Sequence, residues 1–411
     1  MTPPTAASSA PLSVLRSLTP PLPDDRPEAL GLSAVRLQRA SDAFKREADK
    51  GTIPGATLLV GRRGRIGWFD AIGRQAPEAD TPMRADSLFR IFSMTKPIVS
   101  LGIMMLVEDG ELLLADPVAK FIPEFGDQKV GVETGGKLEL VPVAQPMTVQ
   151  DLLRHTSGLA YEHTGTGPVH QLYQQSRVRS RKISNAEHAA IVAGLPLICQ
   201  PGAEFNYSRS TDILGRIIEL LSGQSLGDFL SERILRPLGM NETGFFTADA
   251  NAGRLAEPYP KDPWTGEAVN LFKMTEQPLM ESGGGGLVAT TMDYARFCAM
   301  LLNRGSLDGV RLVGRKTLEL MASDHLGPHV GIHGTILSPG HGFGLGFAVR
   351  RQAGIAPFPG SAGTFFWSGI AGTFFWIDPK EDLFTVFMSQ GPGQRDFTRT
   401  VVRDLVYAAV D

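Results

Sequence analysis

The sequence predicts an α/β fold of the α+β type: one antiparallel sheet built from both chain termini, flanked by the terminal helices, with a largely helical insertion. Three observations predict it. Runs with strand character lie at both ends of the chain, each end also carries an amphipathic helix, and between about Glu111 and Met280 the pattern is helical or loop-like. The 411 residues, 42% hydrophobic, suffice for a large core.

The elements follow in order. Val35, Leu37, Ala40, Phe44 and Ala48, after Ser33 and before Gly51, are spaced as an amphipathic helix with its terminal glycine. Ala56 to Val60 and Arg65 to Ile72 are apolar runs joined by Arg62-Arg63-Gly64, a hairpin signature. Thr364 to Trp367, Gly372 to Ile377 and Leu383 to Ser389 read as three more strands, and Phe397, Val401, Val402, Leu405 and Val406 line a last helix. In the middle, Thr148 caps one helix with Asp151 three residues on, while Thr211 to Leu221 and Leu226 to Leu235 give two others. The expected layout is a flexible arm over 1–26, an α/β domain from 27–110 and 281–411, a mainly helical domain over 111–280, and an active site between the two domains.

Charge and cysteines narrow the function classes. A net charge of -3 gives no electrostatic reason to expect nucleic acid or an anionic membrane, and the basic run Arg177 to Lys182 reads as a solvated loop. Cys199 and Cys298, far apart in apolar surroundings, read as buried free thiols of a reducing compartment. The first 26 residues lack a basic start followed by an apolar core, and no apolar run approaches the ~20 residues that span a bilayer. A cytoplasmic protein without membrane attachment is expected.

Ser93-Met94-Thr95-Lys96 places a hydroxyl and an amine three residues apart, neighbours over one helical turn. The apolar run from Pro97 to Val107, ending at Asp109-Gly110, reads as a buried helix, and Pro97 is tolerated in its first turn. Ser93 at the electropositive helix start with Lys96 on the same face makes a serine nucleophile with a lysine partner. By itself the pair also fits an ordinary helix cap.

Other candidates carry less. Gly223-Gln224-Ser225-Leu226-Gly227 matches G-x-S-x-G, but helical spacing precedes it where a strand is required, so Ser225 with Asp228 reads as a cap. The run Gly283 to Gly286 lacks the context of a nucleotide loop and instead lets the backbone pass close to another segment or a ligand. No histidine or cysteine spacing supports a metal site, and neither a metal nor another cofactor is expected. His155 reads as a hydrogen-bonding residue at a helix end. Tyr207, in a loop before the Thr211 helix, offers a phenol that a nearby lysine ammonium favours as phenolate, able to take a serine proton. The strand ending Trp367-Ser368-Gly369-Ile370 offers, as an exposed edge, backbone N–H groups for an oxyanion hole.

These segments in this order resemble the serine β-lactamase and penicillin-binding-protein superfamily, specifically the family VIII carboxylesterases that look like class C β-lactamases. The likeness runs from about residue 35 onward and includes Thr148 to Leu159, Pro201 to Phe245, Ser282 to Leu302 and Gly342 to Val349. It implies a β-lactamase/transpeptidase-like fold, Ser93 as acylated nucleophile, Lys96 as its partner and Tyr207 as general base. It also implies an oxyanion hole from the N–H groups of Ser93 and Ile370, and Trp367 lining the pocket where many β-lactamases carry a lysine. Two departures stand out: Arg209 replaces the asparagine that binds an acylamino group, and Trp367-Ser368-Gly369 replaces Lys-Thr-Gly. Loss of that lysine removes a partner for a substrate carboxylate. The expectation is a serine carboxylesterase taking a small-molecule ester of short to medium acyl chain, with Trp367, Ser368, Gly369 and Arg209 binding substrate. A β-lactamase, D-alanyl peptidase or acyltransferase on the same fold, or a non-catalytic penicillin-binding sensor, are the alternatives.

Overall fold

The computed structural model describes residues 18–333 and 336–411. Among these, an eight-stranded antiparallel sheet runs His341–Phe343, Ala348–Arg350, Phe365–Ser368, Phe374–Asp378, Leu383–Ser389, Gly55–Arg62, Arg65–Ala76 and Thr81–Pro82. The chain's last strand lies beside its first, from Ala56 opposite Ser389 to Arg62 opposite Leu383. Both termini therefore build one sheet, as the hydrophobic runs predict.

Alternation sorts each strand between two cores. Ala56, Leu58 and Val60 pack with Leu37 and Phe44 of the Ala34–Asp49 helix and with Val402 and Val406 of the Arg395–Tyr407 helix. Leu59, Phe384, Val386 and Met388 join the larger core, which includes the Thr95–Glu108 and Thr291–Leu302 helices. Both faces are covered, so Gly55–Arg62 and Leu383–Ser389 are buried at every position. Each large side chain such as Phe44, whose ring centroid sits 4.6 Å from that of Phe387, is worth about 1.5–3 kcal/mol of burial. Phe397, read onto the apolar face of the last helix, is 47% exposed. It stands in the helix's first turn, beyond the area the sheet covers.

Several details differ from expectation. The strands His341–Phe343 and Ala348–Arg350 are three residues each, too short for a periodicity. They make Phe365–Ser368 an interior strand and not an edge. Yet Ala348–Arg350 pairs only with Phe366 and Phe365, so the Trp367-Ser368 end is open on that side. Of the 1–26 arm, residues 1–17 lie outside the described residues, while Thr19 and Leu22 are buried against the body and Asp25 N donates to the Ile66 carbonyl at 3.0 Å. The middle of the chain carries a hairpin, Lys129–Thr134 with Lys137–Pro142, besides its helices. Thr148 and Asp151 form the expected reciprocal cap of Val149–Leu153. Leu226–Leu230 passes into a π turn, Ser231–Leu235, in place of one continuous helix. No helix among the described residues is long and apolar enough to cross a membrane.

Candidate active site

Ser93 is set by a strand, a strained residue and a helix. Leu88–Arg90 pairs with Val288–Thr290, and Ile91 N continues the ladder to the Leu287 carbonyl at 3.1 Å. Phe92 then turns the chain with φ of 44°, a left-handed conformation that costs of order 1–3 kcal/mol for such a residue. A 3₁₀ turn, Phe92–Met94, carries Ser93 into the Thr95–Glu108 helix. Tyr294 fixes that turn by donating to the Met94 carbonyl at 2.9 Å, and Thr95 Oγ1 accepts from Leu287 N at 3.2 Å. Ser93 is left half-buried where the helix begins.

Lys96 is fully buried, one turn on. Its ammonium donates to the Gly284 carbonyl at 2.6 Å and the Tyr161 hydroxyl at 2.9 Å, and reaches Ser93 Oγ at 3.4 Å. It also lies 4.6 Å from the centroid of the Tyr207 ring. Burial opposes the charge, but the hydroxyls of Tyr161 and Tyr207 outweigh it and hold the ammonium above the ordinary lysine range. Lys96 is thus a charged donor, with all three of its protons directed. The Tyr161 phenol is itself pushed up, chiefly by burial and against the pull of Lys96.

Tyr207 stands in an aromatic box. The rings of His155, Tyr161 and Trp367 lie 4.8, 5.4 and 5.2 Å from it, and Trp367 Nε1 donates to its hydroxyl at 3.2 Å. His155, buried with φ of 58°, accepts from Ser208 N at 3.3 Å through Nδ1 and from Asn206 N at 2.8 Å through its carbonyl. Burial, with the charge of Lys96, pushes the imidazole well below its ordinary value. It is a neutral brace for the Tyr207 loop, in line with the structural role read for it.

The proposed second oxyanion donor, Ile370, follows the open end of the Phe365–Ser368 strand and is 46% exposed. The turn after that strand docks on the segment leading to Ser93: Thr373 Oγ1 donates to the Ile91 carbonyl at 3.2 Å. A Cβ on Gly369 would come within 2.5 Å of the same carbonyl. Glycine is needed there because two backbones meet. Ser368 is half-buried beside it.

Both departures from the family pattern are buried. Trp367 is 5% exposed and donates its N–H to Tyr207, with the two ring centroids 5.2 Å apart. Arg209 is 7% exposed, and its guanidinium is bound to Glu162 at 2.9 Å and faces Asp212 at 3.8 Å. Two carboxylates hold the guanidinium inside the protein. The glycine run behaves as read: added Cβ atoms would lie 2.6 Å from the Thr211 carbonyl at Gly283, and at Gly284 2.7 Å from Asp212 and 2.9 Å from the Tyr161 hydroxyl. Ser225 caps Leu226–Leu230, accepting from Asp228 N at 3.0 Å. Tyr161 and the Gly284 carbonyl were not legible in the sequence, the only signal being the run of glycines.

Comparison with known proteins identifies the family of the chain. The beta-lactamase family model matches residues 40–408. Protein Rv1367c of Mycobacterium tuberculosis is 35% identical over 366 residues, 87% of this chain and 90% of its own. Esterase EstB of Burkholderia gladioli is 30% identical over 406 residues, 93% of this chain and 98% of its own. Among solved structures, EstCE1, described as a hydrolase with promiscuous acyltransferase activity, superimposes with a TM-score of 0.77 at 28% identity, over 91% of this chain and 98% of that one. With nearly its whole length matched by the family model and by these relatives, the chain belongs to the beta-lactamase family.

Proposed function

We propose that this protein is a serine carboxylesterase that cleaves neutral esters of short to medium acyl chain through an acyl-enzyme on Ser93. The observation that carries the proposal is the buried Lys96 ammonium, directed at Ser93 Oγ and lying against the ring of Tyr207. Because Lys96 is held charged, the proton acceptor is Tyr207, whose hydroxyl takes the Trp367 N–H at 3.2 Å and whose ring lies against the ammonium. Tyr207 takes the Ser93 proton as Oγ attacks the ester carbonyl. The N–H groups of Ser93 and Ile370 bind the resulting oxyanion, which collapses to the acyl-serine. Tyr207 returns its proton to the departing alkoxide, then takes one from the water that attacks the acyl-serine and passes it to Ser93 Oγ as the acid leaves.

Esters are favoured over β-lactams and peptides because the site offers no free cation at the two positions of departure. Trp367 has replaced a lysine, and Arg209 is neutralised by Glu162 and Asp212. The names of EstB and EstCE1 support the same class, and that of EstCE1 adds promiscuous acyl transfer. A cytoplasmic setting fits the two buried free thiols, Cys199 and Cys298.

The experiment is a fluorophosphonate label followed by peptide mass spectrometry, paired with turnover of nitrophenyl esters and nitrocefin. Labelling is expected at Ser93, with ester turnover lost in Ser93→Ala and kept in Ser225→Ala. Nitrocefin turnover exceeding that of every ester would overturn the substrate class.

A further inference from the structure

The cation that replaces the expected asparagine is part of a closed charge cluster reaching Lys96. Lys96 is buried among uncharged partners, the Tyr161 and Ser93 hydroxyls and the Gly284 carbonyl. A buried ammonium needs a compensating anion. The carboxylate that supplies it lies one peptide away. Asp212, 3% exposed in the Ser210–Ser222 helix, accepts through Oδ1 from Ser282 Oγ at 2.6 Å and from Gly284 N at 3.0 Å. The carbonyl of that same Gly284 takes the Lys96 proton at 2.6 Å. Arg209 stands on the far side of Asp212, 3.8 Å from Oδ2, and is bound in turn by Glu162. The buried members are two cations, Lys96 and Arg209, and two carboxylates, Asp212 and Glu162, with the exposed Arg179 reaching Glu162 at 3.5 Å from outside.

We propose that Asp212 is a positioning residue for Lys96: its carboxylate clamps Ser282 and Gly284 so that the Gly284 carbonyl holds the ammonium against Ser93, and its charge balances that ammonium. Arg209 keeps the carboxylate in place. The inference rests on the reading of Ser93 as nucleophile. It gives the Arg209 departure a role in the catalytic apparatus instead of in substrate recognition. Gly284 fits the clamp because a side chain there would meet both Asp212 and the Tyr161 hydroxyl.

The electrostatics agree in sign. Burial would raise the Asp212 carboxyl, but His188, Arg209, the Ser282 hydroxyl and Lys96 together leave it lowered and ionised. The titratable and charged groups around the pair are His188 from the Asn185–Ala193 helix, Tyr161, Glu162 and His155 from the loop after Val149–Leu153, and Tyr207 and Arg209 from the segment entering Ser210–Ser222. Of these, only Asp212 and Glu162 carry carboxylates, and Glu162 is already shared between Arg209 and Arg179.

The test compares Asp212→Asn and Ser282→Ala with the parent, each normalised to fluorophosphonate-reactive sites. Asparagine keeps an acceptor for Ser282 and Gly284 but removes the charge. The kcat of Asp212→Asn is expected to fall about tenfold or more with KM within about twofold. Its pH–rate profile should gain an alkaline limb below the ordinary lysine range of about 10, absent from the parent, because Lys96 loses its counter-charge. Ser282→Ala keeps the charge and loses one clamp bond, so kcat falls about threefold or more without a new limb. An Asp212→Asn enzyme with parental kcat and profile would overturn the proposal. If that variant does not fold, an unchanged kcat in Ser282→Ala does so alone. Absence of labelling at Ser93 in the parent would instead remove the underlying nucleophile, a distinct failure.

Discussion

Trp367 Nε1 donates a hydrogen bond to the Tyr207 hydroxyl at 3.2 Å, across 160 residues of sequence. The indole is buried, with the edge of its ring system against Phe343 at 5.1 Å, so it cannot swing away to another acceptor. A neutral donor thereby occupies the place at which many β-lactamases present a cation. The Tyr207 hydroxyl thus keeps one hydrogen bond from a donor that carries no charge.

Trp367→Phe keeps the aromatic packing and removes only the N–H. A hydrogen bond that holds a proton-transfer group in place is worth about 1.5–3 kcal/mol when charge is involved, so kcat/KM on a nitrophenyl ester is expected to fall roughly 10- to 100-fold. Steady-state kinetics with circular dichroism to confirm folding checks this; an unchanged kcat/KM would assign the indole to packing alone.

Tyr161→Phe removes the 2.9 Å acceptor of Lys96 and leaves the ring in its cluster. The ammonium, freed from one of three partners, loses alignment with Ser93. A fall in kcat of about tenfold is expected, with KM little changed. Because the Tyr161 hydroxyl also raises the Lys96 ammonium's affinity for its proton, activity should begin to fall at a lower alkaline pH than in the parent.

Gly369→Ala drives a Cβ to within 2.5 Å of the Ile91 carbonyl and so forces the turn before Ile370 away from the Ser93 segment. If Ile370 supplies an oxyanion donor, the loss is that of one such donor, about 10²- to 10³-fold in kcat. Pre-steady-state acylation is the readout, and a slowed burst with an intact KM is the expected result.

His188 makes stability fall on the acid side. Burial lowers its imidazole from 6.5 to about 4, so it is neutral when folded and protonates more readily when unfolded. The stability it contributes is present above pH 6.5 and is lost as pH falls toward 4, a shift worth about 3 kcal/mol at the linkage of ~1.36 kcal/mol per unit. Urea unfolding of His188→Gln between pH 7 and 4 should show a shallower decline than the parent; parallel curves would exclude His188 as the source.

Local chemistry made much of this legible. The Ala34–Asp49 helix, the strands of both termini and the Thr148 cap announce themselves through spacings of two to four residues. Ser93 and Lys96 likewise lie one turn apart. Short strands such as Ala348–Arg350 escaped because three residues carry no period, and their place is fixed only by the neighbour they pair with.

The sequence by itself therefore determined the sheet built from both ends, the buried helix behind Ser93 and the pairing of that serine with Lys96 one turn on. Tertiary structure alone decided that Tyr161 and Gly284, 65 and 188 residues from Lys96, direct its ammonium, that Trp367 serves Tyr207, and that Arg209 turns inward to Asp212 and Glu162. The physical reason is that burying a charge obliges it to find partners wherever the fold brings them, and no local spacing records where that is.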